Sequence, residues 1–240
     1  MNLLLDRWLD TAADDALCVL LAHDVVLGAG ALHELEQAAR DHPGYGILGP
    51  AVTYGKSDDK VSLGAAWGRW RGSRDRRVTP ADLKSDGVVA ADWVNGATLL
   101  LRASCIRAIG PFNSDLFAYW EDTDLCLRAA RQGWQVGVVT SAHTHATTRV
   151  ASTEVAAYLG VRNELELARL HGGAPGVASA LARSLGRLPR PLVGALVPWR
   201  PAERRAASRQ YARAIVRGVD DFRHRRLGAP AQSREARSSP

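Results

Sequence analysis

Residues 117–128 read FAYWEDTDLCLR, and Gly133 follows five residues later. The carboxylates of Glu121, Asp122 and Asp124 fall within four residues, and the apolar spacing behind them predicts a helix that ends at the glycine. Acids in a first helical turn meet the positive end of the helix dipole, which predicts low carboxyl pKa values and a base near neutral pH. The alternative interpretation is that these acids only cap the helix.

Two segments upstream complete a pattern. Residues 92–102 read DWVNGATLLLR and residues 109–112 read IGPF. In this order the segments resemble the acceptor half of family 2 glycosyltransferases, specifically the rhamnosyltransferase-like branch. That branch has a W-V-x-G-A strand, a G-x-F turn and an E-D-x-D-L-x-x-R helix in succession. The resemblance extends from about residue 17 to residue 171, with a later R-N pair at residues 162 and 163.

The resemblance implies an α/β fold, a GT-A type three-layer αβα domain with a mixed, mostly parallel sheet. We expect residues 1–171 to form this domain, 172–231 a basic helical extension and 232–240 a disordered tail. In the family, the strand that carries the metal-binding acids follows units that bind the nucleotide, whereas here it begins at residue 17. The resemblance therefore implies an N-terminally truncated domain. A misplaced start, an inactive homologue and a split protein remain open explanations.

The resemblance also implies roles for individual residues. Asp122 would be the general base and Glu121 a second catalytic acid, while Asp24 and His145 would bind Mg²⁺ or Mn²⁺. His143, two residues before His145, is the alternative metal ligand. The family's D-x-D or N-x-D pair is here Ala-His-Asp at residues 22–24, so the first acid is absent. The substrate-binding residues implied are Trp93, Asn95, Gly96, Asp124, Arg128, Arg162 and Asn163.

Hydrophobic patterning predicts the order of elements along the domain. Residues 17–22 form a continuous apolar run, which predicts a strand buried on both faces. The polar connection at 55–88 reads as a functional or mobile insertion. Helices are predicted at 6–16, 31–40 and 103–109, and further strands at 45–52, 88–102 with an interruption at Asn95 and Gly96, and 134–139.

Composition limits the function. A 240-residue chain with 46% hydrophobic residues is typical of a globular protein, and no apolar run approaches the ~20 residues needed to span a bilayer. Three cysteines without metal-ligand spacing indicate reduced thiols in the cytoplasm. Residues 172–240 hold 14 arginines against 4 acids. Because this basic segment has no interleaved aromatic residues, a nucleic-acid function is excluded. Two alternatives remain: the segment makes a peripheral contact with anionic lipid at the inner face of the cell membrane, or it is a solvated tail.

These features together predict an inverting glycosyltransferase. It would move a sugar, for example a deoxyhexose such as rhamnose, from a nucleotide-diphosphate sugar to a hydroxyl of a glycan, a lipid-linked acceptor or a secondary metabolite. The alternative is a truncated, catalytically inactive homologue that acts as a partner-binding module.

Overall fold

The computed structural model describes residues 1–54, 61–68, 72–79, 87–146 and 154–230. The chain forms two compact units. The first comprises Met1–Gly68, Ser73–Phe112 and Asp122–Arg149, and the second comprises Arg69–Gly72, Asn113–Glu121 and Val150–Pro240. The predicted tail at 232–240 and much of the predicted insertion at 55–88 lie outside the described residues.

The elements follow one another along the chain in a mixed α/β order. They are α1 (Asn2–Leu9), β1 (Leu17–Leu21), β2 (Val25–Leu27), α2 (Ala31–Asp41), β3 (Tyr45–Tyr54), β4 (Val61–Gly68), β5 (Gly72–Val78), β6 (Val88–Ala90), β7 (Thr98–Arg102), α3 (Ala103–Ile109), α4 (Glu121–Arg131), β8 (Gln135–Ala146), α5 (Glu154–Gly186), α6 (Pro189–Leu196) and α7 (Ala202–Arg223).

The sheet is mixed, but the prediction that it is mostly parallel was wrong for the described strands. Only β3 and β8 pair in parallel. The pairs β1–β7, β2–β8, β3–β4, β3–β7 and β6–β8 are all antiparallel. A parallel pair needs a long crossover, and α3 and α4 lie within the connection from β3 to β8. Because β3 and β8 are parallel, their carboxyl ends meet at the same edge of the sheet.

Helices cover both faces of this sheet. Leu35 and Ala39 of α2 pack against Leu48 and Leu100 on one face. On the other face, side chains of α1, α3 and α4 pack against β3, β7 and β8. The first unit is therefore the three-layer α/β arrangement that was expected.

The predicted helices at 31–40 and 103–109 match α2 and α3 closely, because each has clear end signals; Gly110 ends α3 with φ 77°. The helix predicted at 6–16 begins and ends earlier, as α1. Strand β1 is also less buried than predicted. Its side chains alternate between the two core faces, but it pairs only with β7 among the described strands, so it lies at an edge and Leu21 is exposed.

The second unit is helical beyond residue 154. Helix α5 bends at Gly173, where φ is 63° and ψ is −162°, and Pro175 follows. The predicted boundary between residues 171 and 172 therefore falls inside α5, next to this bend. Residues from both halves of α5, including Val161 before the bend and Ala180 after it, pack with Ile215 of α7. No helix in the described part of the chain is long and apolar enough to cross a membrane.

Candidate active site

The carboxyl group of Asp122 lies at the start of α4 and is held by the loop before β7. Its Oδ2 accepts a hydrogen bond from the backbone N–H of Gly96 at 2.8 Å. Its Oδ1 accepts bonds from the N–H and the hydroxyl of Thr123, at 2.6 and 3.3 Å. A Cβ atom at position 96 would lie 2.9 Å from Oδ2, so only glycine allows the loop this close. Both carboxylate oxygens are thus fixed.

The pKa of Asp122 differs in direction from the prediction. Burial raises the pKa of this carboxyl, and the hydrogen bonds from Gly96 and Thr123 oppose the rise without cancelling it. The prediction from the helix dipole gave a lowered pKa and was wrong, because it could not include burial. A raised pKa suits a general base better, since a carboxylate of low pKa takes a proton weakly.

The loop beside Asp122 is held by its own polar residues. Asn95 Oδ1 accepts a hydrogen bond from the N–H of Ala97 at 2.8 Å, and Asn95 Nδ2 donates to the hydroxyl of Tyr54 at the end of β3. Trp93 Nε1 donates to Ser73 Oγ at 2.8 Å. Asn95 and Gly96 therefore shape the loop around Asp122, while Trp93 anchors its beginning.

Asp24 and His145 lie at the same edge of the sheet. The N–H of Ala22 donates to Ala97 O at 2.9 Å, which ties the turn that carries Asp24 to the Gly96 loop. His145 is opposite Val26 in the β2–β8 register, and Asp24 lies in the turn directly before β2, two residues from Val26. His143 is two residues further away along β8. The register therefore favours His145 over His143 as the partner of Asp24.

A threonine orients the ring of His145. Thr53 Oγ1 lies 3.0 Å from His145 Nδ1 and also donates to Thr144 O at 3.3 Å. The contact holds the imidazole through Nδ1, so Nε2 is the ring nitrogen that does not contact Thr53.

Asp124 and Arg128 were predicted to bind substrate, but their contacts are to the protein. Asp124 is 1% exposed and its Oδ2 pairs with Arg128 Nε at 2.8 Å. The same guanidinium donates to the carbonyls of Ile109, Gly110 and Pro111. The ion pair therefore fixes the turn before Phe112. Its burial and its occupied donors argue against direct substrate contact.

Arg162 and Asn163, also predicted to bind substrate, are 1% and 0% exposed. Asn163 Nδ2 donates to the carbonyls of Leu116, Ala118 and Tyr119. The Arg162 guanidinium donates to Asn163 Oδ1 at 2.9 Å and to carbonyls that include Gly228 O at 2.8 Å. They hold the loop that runs into α4, and their donors face the protein rather than solvent.

That loop has an unusual backbone. Phe117, Tyr119 and Trp120 have φ values of 61°, 67° and 73°, a region that residues with side chains rarely adopt. Trp120 Nε1 donates to Gly160 O at 2.9 Å, which adds a further tie to α5. Glu121, the partly buried residue predicted to assist catalysis, is the next residue and begins α4.

Residues 18–168 match the model of the glycosyl transferase family group 2. The chain belongs to this family. It is 30% identical over 158 residues to the N-acetylglucosaminyl-diphospho-decaprenol L-rhamnosyltransferase of two Mycobacterium tuberculosis strains, with 56% of this chain and 50% of each relative covered. The chain thus spans about half the length of the curated relatives it matches.

The fold is also similar to that of a solved glycosyltransferase. The crystal structure of GalNAc-T7 with UDP, GalNAc and Mn²⁺ aligns with a TM-score of 0.51 at 10% identity, covering 87% of this chain and 41% of that one. At this identity the likeness concerns the fold alone. It supports the GT-A type α/β architecture with a helical C-terminal region.

Members of this glycosyltransferase family are expected to use a divalent metal, so the donor set matters. No group of three His, Cys, Asp or Glu side chains that could hold a metal occurs in the part of the chain that the structure describes. Asp24 and His145 supply one carboxylate and one imidazole, whose Nδ1 contacts Thr53. Two protein donors fit Mg²⁺ or Mn²⁺ when substrate phosphates and water fill the other positions.

Sequence reasoning missed two residues that contact the candidate site, Thr53 and Tyr54. One orients His145, and the other accepts the hydrogen bond from Asn95. Their position at the carboxyl end of a strand is the signal that could have indicated them, since ligands of α/β sheets gather at such ends.

Proposed function

We propose that this glycosyltransferase-family chain moves a sugar from a nucleotide-diphosphate sugar to a hydroxyl acceptor, with inversion and with Asp122 as the general base. The observation that carries the proposal is the carboxyl of Asp122, fixed by Gly96 and raised in pKa by burial. A residue that served only as a helix cap would not need a glycine loop packed against its carboxyl group, with the Gly96 N–H bonded to Oδ2. This observation also favours an enzyme over an inactive partner-binding module.

In the proposed step, an Asp122 oxygen removes the proton from the acceptor hydroxyl. The acceptor oxygen attacks the anomeric carbon from the side opposite the diphosphate and forms the new glycosidic bond. The bond between the anomeric carbon and the diphosphate oxygen breaks, and its electrons leave with the nucleoside diphosphate. The proton remains on Asp122 until it passes to solvent, and the anomeric configuration inverts.

We infer that Asp24 and His145 hold the divalent cation, Mg²⁺ or Mn²⁺, through a carboxylate oxygen and imidazole Nε2. When bound, such an ion neutralises negative charge on the departing diphosphate. Thr53 supports this role by contacting Nδ1 at 3.0 Å, which orients the ring of His145. In this proposal Asp122 at the start of α4 is the base. Asp24, just before β2, and His145, near the end of β8, hold the ion that faces the phosphates.

The named relatives suggest the substrates. They are rhamnosyltransferases that act on N-acetylglucosaminyl-diphospho-decaprenol. We propose a deoxyhexose donor such as a rhamnose nucleotide and a glycan or lipid-linked acceptor for this chain. Cys18, Cys105 and Cys126 are free thiols, which suits the cytoplasm, and a lipid-linked acceptor would require contact with the inner face of the membrane.

The test is a transfer assay on the 240-residue chain with Mn²⁺, a panel of uridine and thymidine diphosphate sugars, and lipid-linked and soluble acceptors. We expect nucleoside diphosphate release that depends on acceptor, and its loss in Asp122→Asn. The variant keeps its fold, although one carboxylate oxygen that accepts a hydrogen bond becomes an NH₂ group facing an N–H donor. This change should cost about 1–3 kcal/mol of stability.

The matched control is Asp41→Asn, the same change at an exposed carboxylate of α2 in the same unit. It should leave turnover unchanged. If Asp122→Asn retained most of the turnover, Asp122 could not be the base. If the unmodified chain showed cooperative thermal unfolding but transferred no sugar from any donor, the catalytic proposal for this chain would fail.

A further inference from the structure

Helix α6 of the second unit buries its small residues and exposes its large apolar residues, the reverse of an ordinary surface helix. Its buried residues are the small Pro191 and Gly194. Its larger apolar residues are exposed instead, with Val193 at 61% and Leu196 at 80%. Trp199, just after the helix, is 84% exposed. A helix stabilised only by packing would bury these side chains, so this face is built for another apolar environment.

Close packing on the buried side of α6 fixes this orientation of the helix. A Cβ atom at Gly194 would lie 2.7 Å from Arg200 Nη1 and 3.0 Å from Ser208 Oγ. Helices α6 and α7 therefore approach closely at this glycine, and α6 cannot rotate to bury Leu196 without losing that approach. The exposed apolar face is consequently a stable feature of the second unit.

A basic pocket lies beside this face. It has a volume of about 510 Å³ and is lined by residues from the end of α5, from α6 and from α7. Three guanidinium groups line it, together with the hydroxyl-bearing Ser208 and Tyr211, and no carboxylate does. Hydrogen-bond donors and positive charge without an acid are the chemistry that binds a phosphate. The arginines are Arg187, Arg190 and Arg200.

The charge around the pocket is one-sided. Between Arg187 and Arg217 the sequence has eight arginines and a single acid, Glu203. Among the described residues, Arg187 pairs with Glu164 at 2.9 Å, whereas no ion pair forms at Arg190 or Arg200. Two cations of the pocket therefore remain available to an external anion.

We propose that this pocket binds the phosphate of an anionic phospholipid, while Leu196, Trp199 and Val193 enter the interfacial layer of the same bilayer. The basic pocket next to an exposed apolar face matches a surface that offers phosphates over acyl chains, and this charge complementarity selects the occupant. The inference rests on the membrane contact proposed above and identifies the surface that makes it. It does not depend on the transfer reaction.

The test is flotation of the full chain with vesicles of phosphatidylglycerol and phosphatidylcholine, compared with phosphatidylcholine alone. We expect binding only to the mixed vesicles. The pocket variant Arg190→Gln with Arg200→Gln should bind about 30-fold more weakly, since each well-placed cation contributes roughly a fivefold gain. Replacing Leu196 or Trp199 by serine should weaken binding at least tenfold.

The matched control is Arg204→Gln with Arg209→Gln. Both arginines are exposed on α7 and lie outside the pocket. Replacing them removes the same charge as the pocket variant does. Their loss should weaken binding by no more than about threefold. Equal weakening by the two pairs would mean diffuse attraction and would overturn the proposal of a phosphate site.

Insertion has its own readout. Phospholipids brominated along the acyl chain quench tryptophans that enter the bilayer, and Trp199→Phe should remove the quenched part of the emission while flotation persists. Quenching that is unchanged in this variant would overturn the insertion of Trp199. Binding of inorganic phosphate without vesicle binding would assign the pocket to a free anion. Binding of a single-stranded oligonucleotide more tightly than the mixed vesicles would assign the surface to nucleic acid. Either result contradicts the proposal.

The outcome is separable from that of the proposed function. Asp122→Asn should float with vesicles as the wild type does, because Asp122 lies in the first unit. Loss of flotation in the pocket variant with normal transfer to a soluble acceptor would support the lipid site alone. Failure of flotation in an active wild-type chain would overturn the lipid site and leave the transfer reaction standing.

Discussion

The contact between Gly96 and Asp122 allows a sharp test, because one added methyl group should disturb the base without touching the substrate. In Gly96→Ala the new Cβ would lie 2.9 Å from Oδ2, 3.1 Å from Cβ and 3.3 Å from Cγ of Asp122. Gly96 does not have a positive φ, so alanine fits its backbone without strain. The only expected effect is displacement of the carboxyl group.

The size of that effect follows from the contact distances. Relief of the contact requires the carboxyl oxygen to move by about half an ångström, since uncrowded atoms stay about 3.4 Å or more apart. The move lengthens the hydrogen bond from the Gly96 N–H, a bond to a charged group worth about 1.5–3 kcal/mol. Together with the misplacement, we expect a fall in turnover of between tenfold and hundredfold.

The pH profile supplies a second readout with a definite sign. The Gly96 hydrogen bond lowers the pKa of Asp122 against the rise caused by burial. When the bond weakens, this pKa rises further, and the base is deprotonated only at higher pH. The acid limb of the rate profile should therefore move to higher pH in Gly96→Ala.

The assay is nucleoside diphosphate release across pH, with thermal unfolding in parallel. Gly160→Ala is the control, because a Cβ at this helical glycine meets no atom within 4 Å. It should keep full activity and be slightly more stable. Turnover of Gly96→Ala within twofold of wild type, with an unmoved acid limb, would refute the assignment of Asp122 and its loop.

Three further predictions concern stability and reactivity. Asn163→Ala removes hydrogen bonds to three carbonyls and should cost about 3 kcal/mol in urea unfolding at about 1 kcal/mol per bond, whereas a loss under 1 kcal/mol would contradict its structural role. Burial raises the pKa of the Glu166 carboxyl, but its two arginine partners lower this pKa overall. The stabilisation of the fold by Glu166 is therefore present above the unfolded pKa and is lost as pH falls through the folded pKa. Glu166→Gln should flatten the acid side of a profile of unfolding free energy against pH. Iodoacetamide should modify Cys18 before Cys105 and Cys126 in the native protein, because burial raises all three thiol pKa values but only Cys18 is partly exposed; mass spectrometry showing Cys105 or Cys126 modified first would contradict this.

The sequence predicted best those elements whose ends carry strong local signals. Helix α2 has a clear apolar face, and α3 and α4 each stop at a glycine with positive φ, Gly110 and Gly133. The placement of Asp24 and His145 near strand ends was also predicted, because each lies next to an apolar run, while their role as metal ligands stays a prediction. Local patterns contain this information because they reflect propensity and helix termination.

Pairing partners and pKa values could not be predicted in this way. The apolar run of β1 carries no information about its neighbour, which is the antiparallel strand β7. The burial of β1 was therefore overestimated. The pKa of Asp122 depends on burial under a loop distant in sequence, which outweighs the local helix dipole. Both quantities depend on tertiary contacts.

Arg162 and Asn163 have a structural reason to be buried beside the loop before α4. Three residues with side chains, Phe117, Tyr119 and Trp120, adopt positive φ just before α4, and such conformations cost on the order of 1–3 kcal/mol each. They persist only when other interactions compensate, and the Asn163 amide donates to three carbonyls of this same loop. Arg162 in turn donates to Asn163 Oδ1, which fixes the amide with its donors toward the loop. The pair therefore holds the backbone of residues 116–119 in a conformation that it would not adopt alone.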